Sequence, residues 1–184
     1  SVNLDPSILT PASENEIILC LNYGGLYGIN NINHFMQENN NGKEIRRGIQ
    51  RYKVGDPILF NDLADSFFTK NKEQVPIIHN NMKGRIEDFR LLEAGKVTER
   101  IQFDIEIDKP LMNLDDKDLD FQVIGVSEKG NSIIRFEVYK NKSTDEDDDS
   151  VSKNMVPFQI AYAVSIHKAQ GLEYDSVKII ITDD

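Results

Sequence analysis

The sequence predicts an α/β chain interrupted by a small antiparallel β-barrel, and three observations carry that prediction. Near the start, an apolar run from Glu16 to Asn22 leads through Gly24, Gly25 and Gly28 into residues at helical spacing: strand, glycine-rich loop, helix. Between Glu44 and Lys142 the chain becomes a series of short strands broken by turn residues. From Phe158 to Thr182 two apolar runs meet at a polar turn holding Gly171, which lets the backbone come close to a ligand. That last pattern is the ligand edge of an α/β sheet.

Taken in order, residues 1–15 carry Pro6 and Pro11 without periodicity and read as an extended lead-in. Ile29, Ile32, Phe35 and Met36 fall on one helical face, with Asn30 or Asn31 available to cap the first turn. A strand feeding a helix through glycines suggests a phosphate site at the helix N-terminus. Six strands are then expected: Tyr52 to Phe60, Pro76 to His79, Gly84 to Leu92, Ile101 to Ile107, Phe121 to Val126 and Ile133 to Lys140. Glu128 to Ser132 is a hairpin turn, and Gly55-Asp56-Pro57 opens a strand, with Asp56 as a turn carboxylate. The acidic stretch Asp145 to Asp149, within a loop spanning 143–150, has no apolar partner and reads as solvated linker.

Composition narrows the class. A length of 184 residues with 39% hydrophobic content suffices for a packed core. No apolar run approaches the ~20 residues of a membrane span, and no basic-then-apolar signal opens the chain, so a cytoplasmic protein without membrane contact is expected. A net charge of −10 argues against coating nucleic acid by bulk electrostatics. Basic residues do gather at Lys43, Arg46, Arg47, Arg51 and Lys53, as a solvated face or a phosphate-contacting patch. The single cysteine, Cys20, sits in an apolar run and reads as a buried hydrophobe. Three histidines and one cysteine offer no metal-ligand spacing, and His34 and His79 receive no function.

The phosphate-gripping pattern G-x-x-x-x-G-K-[ST] is missing: Gly42-Lys43 precedes Glu44, and Gly95-Lys96 precedes Val97. Against that absence stands the run Ala161 to Tyr174, AYAVSIHKAQGLEY. It resembles motif V of superfamily 1 DNA helicases of the RecD-like/UvrD-like group, whose pattern is Ala-Tyr-Ala-x-Thr-x-His-Lys-x-Gln-Gly-x-Glu. Weaker echoes occur in the same order. Asn22 to Gln37, with Ile32-Asn33 and Gln37, looks like the family's strand-loop-helix; Val54 to Asn61 and Asn80 to Ile86 look like its Gly-Asp-x-Val and Asn-x-x-x-Gly-x-Ile elements.

The resemblance implies a partial RecA-like domain, the second of the motor, built on a parallel sheet from residues 1–45 and 151–184. An SH3-like barrel would occupy 46–150 as an insertion. In such enzymes ATP lies between two RecA-like domains and single-stranded DNA crosses both. Ser165, where the family has Thr, would face the DNA backbone with His167 and Lys168, since hydroxyl, imidazole and ammonium donors suit phosphate oxygens. Gln170 and Gly171 would lie toward the nucleotide's phosphates, and Glu173 could accept hydrogen bonds from the ribose hydroxyls. Lys83 and Arg85, flanking Gly84, either touch DNA or solvate the barrel surface.

No catalytic residue and no metal ligand is expected within the chain itself. ATP and Mg2+ would serve the full-length enzyme, with the N-terminal RecA-like domain of the same parent and single-stranded DNA as partners. The chain stops at Asp184, before the Arg-bearing motif VI expected to stabilise the transferring phosphate, so it should neither hydrolyse ATP nor unwind DNA alone. The competing reading is a non-catalytic module, derived from a helicase domain, that binds nucleic acid or protein. Bland roles also exist for each residue. Gln170-Gly171 is an ordinary turn, Glu173 an ordinary first-turn carboxylate, and Tyr162 a core residue rather than a base-stacking platform.

Overall fold

A computed structural model describes residues 10–11, 13–68, 77–112, 119–140 and 153–181. The acidic loop at 143–150, most of the lead-in and Pro76 lie outside the described residues. Along the chain, the elements begin with β1 (Glu16–Cys20), α1 (Ile29–Glu38), β2 (Glu44–Arg47), β3 (Gln50–Lys53) and β4 (Pro57–Phe60). Next come α2 (Leu63–Phe68), β5 (Lys83–Leu92), β6 (Arg100–Ile107), β7 (Gln122–Val126) and β8 (Ser132–Tyr139). The last are β9 (Phe158–Ile160), β10 (Ala163–Ser165), α3 (Ile166–Ala169) and β11 (Ser176–Ile180). Parallel and antiparallel sheets coexist, so the chain is mixed α/β. Two compact units result: Ser1–Asn41 with Ile160–Asp184, and Gly42–Gln159.

In the first unit, β1 lies between β10 and β11 and runs parallel to both. Its Ile17, Ile18 and Cys20 are buried, as befits a central parallel strand. One face of the sheet is closed by α1, whose Ile29, Ile32 and Met36 pack with Ile18, Cys20 and Ala163. Tyr162 packs on the same cluster as expected of a core residue, its hydroxyl accepting a hydrogen bond from Asn40. Burial pushes the Cys20 thiol up to about 11.

The helix start differs from expectation. Gly28, not Asn30 or Asn31, is the N-cap, and no side chain caps the first turn. Asn31 instead donates to the Leu26 carbonyl. The loop folds so tightly that a Cβ on Gly28 would stand 2.2 Å from the Gly24 carbonyl oxygen. Its own carbonyls at Asn22 and Tyr23 then accept the N–H groups of Ile29 and Asn30.

The second unit holds a six-stranded sheet in the order β7-β8-β6-β5-β4-β9, beside the β2-β3 hairpin. The expected strand from Tyr52 to Phe60 is two strands, because Gly55 adopts a positive φ of 91° and turns the chain between them. Asp56 is fully buried there and accepts the Lys53 N–H at 2.8 Å, the turn role read from the sequence. The described part of the expected strand at 76–79 is not in a strand, and α2, unforeseen, precedes it. Asn61 opens α2 by accepting the Leu63 N–H on its side-chain oxygen, at 3.0 Å.

Around α2 the core is aromatic. Phe68 meets Phe136 edge-on at 5.0 Å, and Phe103 meets Phe158 at 5.2 Å. Tyr52 joins this cluster, where burial raises its hydroxyl to about 12. The basic run proves to be a partnered hairpin face. Lys43 pairs with Asp88, Arg46, Arg51 and Lys53 gather on Glu44, and Arg47 donates to the carbonyls of Tyr139 and Asn154. Among the described residues no helix is long and apolar enough to cross a membrane.

Candidate functional site

Because β10, β1 and β11 run parallel, their carboxyl ends come out on one edge. The register makes that edge a row: Cys20 stands opposite Ser165 on one side and Ile180 on the other. Open parallel sheets bind ligands outside this edge, where loops diverge from strand ends. Three segments diverge here: the glycine-rich loop after β1, α3 with its following turn after β10, and Ile181 after β11. A cleft of about 200 Å³ opens at this edge, lined among others by Asn22, Gly25, Tyr27 and Ile180.

Ser165 ends β10 and begins α3. Its extended backbone makes it the N-cap, and its Oγ accepts the Lys168 N–H at 3.3 Å. A hydroxyl that accepts a cap bond can still donate its own hydrogen, so capping and ligand binding are compatible. The polar turn expected from the sequence is therefore a one-turn helix. His167 is exposed on it and Lys168 is half-buried.

Gln170 closes α3 with its N–H directed to the His167 carbonyl. Gly171 follows at φ 80°, a left-handed conformation that a side chain would strain, and Leu172 bonds back to Ala169. Gln170, Gly171 and Glu173 are all exposed. Ser165, His167, Lys168, Gln170, Gly171 and Glu173 thus share one continuous segment that leaves the sheet's carboxyl edge at Ser165 and returns to the amino end of β11 at Ser176, presenting a hydroxyl, an imidazole, an ammonium, a carboxamide and a carboxylate along the way.

Lys83 and Arg85 are not part of this segment. They lie on β5 in the second unit, where the Arg85 guanidinium donates to the Gly55 carbonyl at 2.7 Å and braces the Gly55-Asp56 turn. Gly84 between them is needed for packing: a Cβ would come within 2.8 Å of the Glu106 carbonyl oxygen. The phosphate cradle expected at the start of α1 is also altered. Two of its first amides are already bonded to Asn22 and Tyr23.

One residue that shapes the edge was named in the sequence only within the Ile32-Asn33 pair of the family resemblance, with no role attached. Asn33 on α1 donates from Nδ2 to the Ala163 carbonyl at 2.9 Å and accepts the Ala163 N–H on Oδ1 at 2.8 Å. The signal available was an amide one position after the buried Ile32, on the flank of the apolar helix face. Among the described residues no three metal-ligating side chains come together.

No family model matches the chain, and no curated protein matches it. Among solved structures it is similar to the crystal structure of Pif1 helicase from Candida albicans, with 14% identity and a TM-score of 0.43. That similarity covers 95% of this chain and 41% of the Pif1 chain, so this chain spans less than half the length of that one.

Proposed function

We propose that this chain is part of the second RecA-like domain of a superfamily 1, RecD-like DNA helicase, with an SH3-like barrel inserted in it. The motor part lies within residues 1–45 and 151–184 and the insertion spans 46–150, with β2 and β9 at the two junctions joined to the insertion's sheets. One observation carries the reading. The motif-V-like run from Ala161 to Tyr174 passes through β10 and emerges, from Ser165 onward, at the carboxyl edge of a parallel sheet, where a nucleotide or phosphate ligand is expected.

In the parent enzyme, Ser165 and His167 donate to DNA phosphate oxygens and Lys168 adds a positive charge beside them. Gln170 and the unobstructed backbone at Gly171 face the phosphates of ATP, and Glu173 accepts from the ribose hydroxyls. The chain fits ATP as one wall of a shared cleft. It offers hydrogen-bonding groups but no Walker A lysine, and no three described acidic or imidazole side chains converge to hold Mg2+. Magnesium, held elsewhere in the parent, would neutralise the phosphates. These residues therefore couple two ligands and need the N-terminal RecA-like domain to complete both sites.

Reading the parent open reading frame tests this. A Gly-x-x-x-x-Gly-Lys-[Ser/Thr] upstream and an Arg-bearing motif downstream are expected. If both are missing, the chain is a helicase-derived binding module without a motor.

A further inference from the structure

Among the described residues β10 is an outer strand of its sheet, so half of its backbone groups look away from β1. The Ile18 N–H donates to the Tyr162 carbonyl. In a parallel ladder this turns residues 162 and 164 toward β1 and residue 163 outward. Ala163 is fully buried, and an unmet donor and acceptor there would be costly.

Asn33 meets both at once. Its carboxamide gives Ala163 the donor and acceptor that a neighbouring strand would have supplied, at 2.9 and 2.8 Å. Asn40, seven residues on, donates to the Tyr162 hydroxyl at 3.3 Å, and Gln37 between them is buried. Ile29, Ile32 and Met36 cover the sheet's face, while Asn33 reaches β10 from the helix and Asn40, just beyond the helix end, reaches the Tyr162 hydroxyl.

The residue type at 33 is dictated by this geometry. Leucine would fill the space and satisfy neither group. A carboxylate could accept from the N–H but would face the Ala163 carbonyl with like charge.

We infer that Asn33 is a positioning residue for the edge loop: it stands in for a missing strand, fixes Ala163 in register, and so sets where Ser165 caps α3 and where His167 and Lys168 emerge. Its functional consequence rests on the DNA reading of that loop; the positioning itself is measured without DNA. The experiment is hydrogen exchange and amide resonances of the 184-residue chain carrying Asn33→Ala or Asn33→Asp.

With Asn33→Ala, exchange at Ala163 should be about tenfold faster or more. The resonances of Ser165, His167 and Lys168 should shift, with those of Phe60 and Ile86 in the second unit unmoved. With Asn33→Asp the same changes appear at pH 7 and revert toward wild type below about pH 4, where the protonated acid donates again. Should Asn33→Ala fail to fold, that pH series carries the test. Faster exchange at Ala163 with the loop resonances in place overturns the positioning role, as does exchange like wild type. Unchanged DNA affinity of the parent enzyme when the loop residues are substituted would overturn the DNA reading and leave this result standing.

Discussion

Cys20 and Ser165 stand opposite each other as the last paired residues of β1 and β10, one fully buried and one at the mouth of the sheet. The pairing ties a core residue to an edge residue: what fixes the strand register also fixes the position of the polar loop. The thiol at this junction is held up to about 11 by burial. Its thiolate should therefore be about a hundredfold scarcer than that of an ordinary thiol at pH 8. Alkylation of the native chain at pH 8 should be slow and should accelerate sharply in denaturant. The stability linked to this thiol is full below the ordinary thiol pKa and is lost as pH rises toward 11.

The glycine-rich loop yields a paired comparison. A Cβ at Gly28 would meet the Gly24 carbonyl oxygen at 2.2 Å, whereas a Cβ at Gly24 would meet nothing within 4 Å. Gly28→Ala should cost about 1 to 3 kcal/mol in denaturant unfolding, and Gly24→Ala should be close to neutral. Equal effects would mean that the loop is not held in this tight form.

A bulge in the second unit brings two acids together. Glu87 is the extra residue between Ile86 and Asp88 on β5. Desolvation and the neighbouring Glu106 carboxylate hold its carboxyl above the usual range. Glu106 stays low despite its own desolvation because Asn131 and Ser127 donate to it. A raised carboxyl favours the folded state below its ordinary pKa, and that contribution is lost as pH rises through the folded value. Glu87→Gln should therefore match or exceed wild-type stability at pH 7, by no more than about 0.5 kcal/mol given its exposure, and lose the advantage near pH 4. Parallel pH-stability curves for the two proteins would refute the assignment.

Local chemistry was legible in the sequence wherever one residue type had one use. The Gly55-Asp56 turn, the Glu128 to Ser132 hairpin, the buried Cys20 and the strands of the long antiparallel ladder follow from periodicity and turn residues. What escaped depended on distant partners. The basic run, read as a solvated face or a phosphate-contacting patch, gave no sign of its partners because Asp88 and the Tyr139 and Asn154 carbonyls are far away in sequence. α2 escaped because Asn61 reads equally well as the end of a strand. The contact of Asn33, noted in the sequence only as part of the Ile32-Asn33 pair, escaped because its partner lies 130 residues away. The edge loop was found through its motif, and the register of β1 with β10 supplies the shared edge that the motif alone does not.

Under the proposed function, the loop after β10 grips the DNA backbone. That grip is tested most directly by single-stranded DNA affinity and DNA-stimulated ATPase activity of the full-length enzyme carrying His167→Ala, with His34→Ala as control; His34 is exposed and pairs with Glu38 on α1. Loss of one donor to a phosphate should weaken DNA binding about tenfold and lower DNA stimulation in step, with basal nucleotide binding unchanged. Unchanged DNA affinity and stimulation in His167→Ala would contradict the account.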